Sequence, residues 1–241
     1  IMPRLVGSEM CIRDSTLGEV ALLEVLPIAV KKKIEDIDIY IVESEKSARR
    51  FINAICPDKS QEKLKLFTLN KFTETLEIPN YLNPCIEQGE SIGLISDAGC
   101  PAVADPGSEV VRLAHERNIK VVPIVGPSSI LLAMMASGMN GQNFAFNGYL
   151  PVDKNERKAM LRKLEKRSFD QKQAQAFIET PYRNQKLLED LCRVLHPNTR
   201  ICVACDLTLS SEYIKTLSAG EWLKNKVDLH KRPTIFVLQK D

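Results

Sequence analysis

The residues best placed to do chemistry lie in three loops. The first is Ser96-Asp97-Ala98-Gly99-Cys100-Pro101-Ala102-Val103-Ala104-Asp105-Pro106-Gly107. Gly99 and Gly107 allow a backbone to approach a ligand closely, and Pro101 and Pro106 stiffen the loop. Asp97 can accept hydrogen bonds from a hydroxyl or ammonium group. Asp105, followed by Pro106, is the expected N-cap of the next helix. The second loop, Gly126-Pro127-Ser128-Ser129, offers hydroxyls and amides where a helix begins, either as a plain cap or as an anion cradle. The third, Glu179-Thr180-Pro181-Tyr182-Arg183, puts a carboxylate and a guanidinium at the end of an apolar run, where they can orient a substrate or pair with each other.

Each loop follows a stretch that reads as a buried strand, such as Ile92-Gly93-Leu94-Ile95. Open α/β sheets bind ligands at the carboxyl ends of their strands. Strands are expected at 38–43, 64–69, 91–96 and 119–125, with helices between them, which implies parallel βαβ units. The second half alternates too: strand 144–148, helix 153–167, strand 174–179, helix 183–195, strand 200–205 and strand 234–238. Ser218-Ala219-Gly220-Glu221 is a capping box. Two α/β domains follow, 16–125 and 126–241. Residues 1–15 have mixed polarity and no strand signal. They read as a non-native segment, with Met10 to Ser15 resembling translated adapter sequence, and regular structure is expected from Thr16 onward.

Several classes are disfavoured. There is no G-x-x-x-x-G-K-[ST], no G-x-G-x-x-G and no G-x-S-x-G, which argues against an ATPase, a Rossmann dehydrogenase and an α/β-hydrolase. Net charge is +2, so any nucleic-acid contact must be local. Helix 153–167 is the place for it, with Lys154, Arg157, Lys158, Arg162, Lys163, Lys166 and Arg167, although a solvated face reads the same way. No apolar run nears the roughly 20 residues that span a bilayer, and no membrane partner is expected. The 7 cysteines are scattered, which suits reduced thiols and a cytoplasmic setting. Cys202 and Cys205 are three apart in a strand and face opposite sides, so core packing is expected rather than a metal site. The 3 histidines stand alone.

Taken together, the loops resemble a known family. Ser96 to Gly107 is similar to the S-D-A-G-T-P-x-x-x-D-P-G signature of the tetrapyrrole (corrin/porphyrin) methylase superfamily. Val122-Pro123-Ile124-Val125-Gly126-Pro127-Ser128-Ser129 resembles the V-P-I-P-G-P-S-A of its 16S ribosomal RNA cytidine 2′-O-methyltransferase branch. Asn147-Gly148-Tyr149-Leu150-Pro151 resembles G-F-L-P, Glu179 to Arg183 resembles E-x-P-x-R, and Thr16-Leu17-Gly18 resembles part of P-T-P-L-G-N. The likeness covers Thr16 to Asp241. The chain departs at Val42-Glu43-Ser44-Glu45-Lys46, where the branch has A-E-D-T-R. It also departs at Cys205-Asp206-Leu207-Thr208-Leu209, where the branch has R-E-L-T-K, while Glu212 is retained.

The resemblance implies two α/β/α domains, the first sheet mainly parallel and the second mixed, with S-adenosylmethionine in the cleft between them and a homodimer. Cofactor contacts would come from Leu17, Gly18, Ser96, Asp97, Ala98, Gly99, Pro101, Val103, Gly126, Pro127, Ser128, Ser129 and Pro181. The implied reaction is methyl transfer, most closely to a ribose 2′-hydroxyl of small-subunit ribosomal RNA, with no metal. Asp97, Glu43 and Glu179 are the carboxylates at strand ends that can orient the hydroxyl or accept its proton, and Arg183 can hold a phosphate or carboxylate. The alternatives are a methylase of a corrin- or porphyrin-like small molecule and a cofactor-binding protein without catalysis.

Overall fold

The computed structural model describes residues 9–13, 22–97 and 99–241. The chain forms two compact units that divide between Ser128 and Ser129, 3 residues beyond the expected 125/126 boundary.

In the first unit, β1 (Glu9–Arg13), β2 (Ile39–Val42), β3 (Lys65–Thr68), β4 (Ile92–Ile95) and β5 (Lys120–Ile124) form a five-stranded sheet in the order β3-β2-β4-β1-β5. Every pairing is parallel. Helices α1 (Leu22–Val25), α2 (Ile28–Asp36), α3 (Glu45–Ile55), α4 (Asn83–Glu87) and α5 (Ser108–Glu116) connect the strands. Pro27 separates α1 from α2, as its lost N–H and fixed φ require. The helical stretch between β3 and β4 is divided into a 3₁₀ turn (Ile78–Leu82) and α4, with Pro79 and Pro84 each near the start of a segment. Ile41, Ile92, Leu82, Ile34 and Ile52 fill the layers on the two faces of the sheet. Gly93 is required in β4 because the ring of Tyr40 lies where its Cβ would be.

β1 corrects the expectation that residues 1–15 hold no strand. It lies in the stretch where no strand is expected, and it is the strand between β4 and β5. Its Met10 is fully buried, and Glu9 at its start is paired with Lys33 and Lys120. A central parallel strand is covered on both faces, so it shows no alternation, and five residues are too few to stand out as an apolar run.

The second unit holds α6 (Ser129–Ser137), β6 (Phe144–Tyr149), α7 (Lys154–Gln171), β7 (Ala174–Ile178), α8 (Asn184–Val194), β8 (Arg200–Cys205), β9 (Tyr213–Ser218), α9 (Ala219–Trp222) and β10 (Thr234–Gln239). Its sheet runs β6-β7-β10-β8-β9. β6 and β7 are parallel, and the remaining pairs are antiparallel. The fold class expected from the sequence is therefore the one observed: α/β in both halves, parallel in the first sheet and mixed in the second.

Phe177, Phe236, Leu161, Leu164, Leu191 and Trp222 centre the second core. Cys202 and Cys205 are buried in β8, and burial pushes both thiols up. Ser218 and Glu221 form the capping box in full. β9 has no clear sequence signature because it is an edge strand whose residues are mostly half-buried, so neither face carries an apolar signal.

Candidate functional site

The carboxyl edge of the parallel sheet gathers three acids. β2 ends at Val42 and delivers Glu43. Ser44 then caps α3, accepting a 3.4 Å hydrogen bond from the Ser47 backbone N–H. Next to it, β4 ends at Ile95 and delivers Ser96 and Asp97. Ser96 is buried and donates a 2.8 Å hydrogen bond to Asp105 Oδ2.

That hydrogen bond corrects the reading of Asp105. The N-cap of α5 is Gly107, not Asp105, and Pro106 lies outside the helix. Gly107 has φ of 132°, a conformation that costs a side chain strain, and the helix starts one residue later. Asp105 is turned back across its loop to Ser96 instead. Ala102 and Ala104 also take left-handed backbone angles, at φ of 66° and 62°. The Ala102 N–H bonds Pro106 O at 3.3 Å, and the Val103 N–H bonds Cys100 O at 3.2 Å. Left-handed angles at alanine are costly, and they accumulate where a site needs a fixed shape.

The three carboxyls act on one another. Burial pushes Glu43 above the ordinary carboxylate value, and the negative charges of Asp97 and Asp105 push it further, while the Asp97 backbone N–H pulls the other way. Burial raises Asp97, against a hydrogen bond from Ser47. Burial also raises Asp105, with Ser96 opposing and the charge of Asp97 adding to the rise. Among the described residues none of the three forms an ion pair with Lys or Arg within 4 Å. Crowded carboxylates without a cation mark a site awaiting a ligand that brings positive charge or hydroxyl donors.

The other residues predicted for cofactor binding in this unit fall along the same two loops. Gly99 and Pro101 are buried, whereas Asp97 and Val103 are exposed. β5 leads into Gly126, Pro127 and Ser128, of which Pro127 is buried, and Ser129 opens α6 in the second unit. Leu17, Gly18 and Ala98 lie outside the described residues.

In the second unit, β7 delivers Glu179, whose side chain is 2% exposed. It accepts a 2.7 Å bond from the Thr180 N–H and a 2.6 Å bond from Arg183 Nη2. Two of the predicted catalytic residues are thus paired with each other. Pro181 is half-buried, and its carbonyl accepts from the Lys231 N–H at 3.1 Å. Tyr182 is 70% exposed and meets His230 edge-on at 6.2 Å.

Residues that the sequence did not propose for the site complete this edge. Arg232 Nε donates to Asp206 Oδ2 at 2.7 Å, Ser211 Oγ donates to the same oxygen at 2.9 Å, and Glu212 accepts from the Thr208 N–H at 2.8 Å. Asp206, Thr208 and Lys231 are left-handed, at φ of 50°, 71° and 60°. Arg183 Nε, Asn184 Oδ1 and Thr208 Oγ1 are buried without a hydrogen-bond partner. Such orphaned groups call for a donor or acceptor from outside the chain. Asp206, Thr208 and Glu212 carried a signal as parts of the altered R-E-L-T-K motif, and Arg183 as a candidate residue, whereas Ser211, Lys231 and Arg232 carried none.

The fold is similar to those of solved methyltransferases. The crystal structure of the methyltransferase CobJ covers 97% of this chain and 94% of its own, at TM-score 0.62 and 16% identity. That of cobalt precorrin-4 methyltransferase covers 99% and 98%, at TM-score 0.62 and 13% identity. The tetrapyrrole (corrin/porphyrin) methylase family matches residues 22–222, and the chain belongs to that family.

Proteins named ribosomal RNA small subunit methyltransferase I are also similar. The one from Buchnera aphidicola subsp. Schizaphis graminum is 30% identical over 72% of this chain. The one from Neisseria meningitidis serogroup B is 28% identical over 90% of this chain and 70% of its own length. The chain spans 60% of the length of the Buchnera relative and of the Escherichia coli O157:H7 relative.

Proposed function

We propose that the chain is an S-adenosylmethionine-dependent methyltransferase that modifies a ribose 2′-hydroxyl of small-subunit ribosomal RNA, acting in the cytoplasm as a homodimer. The observation that carries the reading is the group of Glu43, Asp97 and Asp105 at one sheet edge, all raised by burial, with the charge of Asp97 raising the other two further, and, among the described residues, matched by no cation. A sulfonium cofactor with an ammonium group and ribose hydroxyls supplies the positive charge and the donors that these carboxylates lack. The names of the similar proteins support the ribosomal substrate.

When bound, S-adenosylmethionine supplies an electrophilic methyl group. The chain's task is then to align the acceptor oxygen and to handle its proton. Asp97, exposed at the end of β4, binds hydroxyl or ammonium donors. Glu43 takes the hydroxyl proton onto its carboxylate, and its raised value brings it nearer the range in which a general base works at neutral pH. Asp105 holds Ser96 and with it the shape of the loop. Glu179 fixes Arg183, whose guanidinium is partly exposed and can meet a phosphate or carboxylate. The family residues predicted in the glycine- and proline-rich loops line the cofactor.

The test is methyl transfer from labelled S-adenosylmethionine to small subunits lacking the modification, run beside precorrin substrates. Label in the RNA that becomes resistant to alkaline cleavage at one ribose is the expected result. Label in the macrocycle alone replaces this reading with the small-molecule one, and calorimetry without cofactor binding rejects both.

A further inference from the structure

α7 carries a dense run of cations. Asp153 caps it by accepting the N–H groups of Asn155 and Glu156 at 2.8 and 2.9 Å. Leu161 and Leu164 are buried in the second core, and Arg157 is drawn inward to Asp190 at 2.6 Å. The outer face is left to Lys154, Lys158, Arg162, Lys163 and Lys166, all exposed. Lys154, Lys158, Arg162 and Lys166 follow one another at i+4, a single line about 18 Å long at 1.5 Å per residue.

On four other helices, some cations sit beside acids one turn away. Lys31 faces Glu35 on α2, and Arg49 faces Glu45 on α3. Arg112 lies between Glu109 and Glu116 on α5, and Lys186 and Arg193 share Glu189 on α8. On α7 such acids are present, Glu165 three residues after Arg162 and Asp170 four after Lys166, but they close no pair with them. Among the described residues none of its five outward cations has an ion pair within 4 Å. Glu165 is taken by the His196 N–H and by Thr199 Oγ1. Glu156 has no cation three or four positions away within the helix. Like charges at i+4 weaken a helix, so the line works against the element that carries it unless a polyanion covers it.

We infer that the outer face of α7 docks the phosphate backbone of an RNA through Lys154, Lys158, Arg162 and Lys166. Naming RNA as the polyanion rests on the ribosomal RNA reading above. An evenly spaced line of point charges suits an evenly charged polymer. A lipid surface fits less well, because a helix lying on a membrane buries an apolar face in the acyl layer, and the apolar face of α7 is already in the core.

The experiment compares two triple variants in binding to unmodified 16S ribosomal RNA transcript across a salt series. One is K158Q/R162Q/K166Q. The other, K31Q/K186Q/R193Q, removes the same net charge from paired cations. The first is expected to bind about 10-fold or more weakly and to flatten the salt slope by about 2, at roughly 0.7 for each phosphate that is no longer neutralised. The second should stay within about 2-fold of wild type, and both should keep wild-type melting temperatures and cofactor affinity. Equal weakening in the two variants, or an unchanged slope in the first, overturns the α7 assignment and leaves the ribosomal reading standing. Loss of binding to phosphatidylserine vesicles with RNA binding intact overturns it in favour of a membrane. A wild-type chain that does not bind the transcript overturns the ribosomal reading and this inference together.

Discussion

The two sheet edges handle negative charge in opposite ways. On the second, carboxylates are neutralised within the fold: Glu179 by Arg183 and Asp206 by Arg232. Deeper in the same unit, Asp190 is met by Arg157. On the first, Glu43, Asp97 and Asp105 crowd together, and only hydroxyls and a backbone N–H oppose their mutual repulsion. Matched charges hold a shape. Unmatched charges store unfavourable energy that a ligand relieves, so the first edge is where binding and chemistry are expected.

The largest effect is expected where charges are matched. Asp190→Ala leaves the Arg157 guanidinium buried with only the Pro151 and Val152 carbonyls to accept from it. The expected loss is about 3–5 kcal/mol, read as an earlier urea transition of the second unit. A change under about 1 kcal/mol means that the matched charges are not structural.

Asp97→Asn is the next largest effect and falls on activity rather than on stability. Methyl transfer should fall about 100-fold or more. The folded-state value of Asp97 lies above its unfolded one, so its contribution is favourable below the unfolded value and is lost as pH rises through the folded value. At neutral pH the ionised carboxylate therefore disfavours the folded state, though solvent at this exposed position screens the effect, so its removal should not lower the melting temperature. Full turnover, or a lowered melting temperature, ends the claim that the first edge is strained for function.

The smallest effect is a shift in the pH profile. Glu43 must be ionised to accept a proton, so the rate should rise with pH through a limb lying above the ordinary carboxylate range. Part of that elevation comes from the charge of Asp97. The residual activity of Asp97→Asn should therefore show the limb displaced toward acid. An unmoved limb would assign the proton to another group.

Most of this architecture is local and legible in the residues themselves. Apolar runs separated by helical periods announce every strand but β1 and the edge strand β9. Pro27 marks a helix break, and Ser218 with Glu221 marks a helix start. The loops at the ends of β4, β5 and β7 are visible as glycine, proline and serine clusters because turn chemistry depends on the residues within the turn.

Residue order alone thus sets the succession of elements, the loops that carry the site and the acids within them. The partners of those acids come from the folded chain. β1 is central because parallel pairing joins Glu9–Arg13 to strands about 80 and 110 residues away. Asp105 abandons its helix because Ser96, nine residues earlier, offers a hydroxyl where the chain folds back. Whether a carboxylate is matched, as at Glu179, or left crowded, as at Glu43, depends on which side chains other strands bring to the same edge. That is a long-range outcome of sheet order, and residue type and local spacing do not encode it.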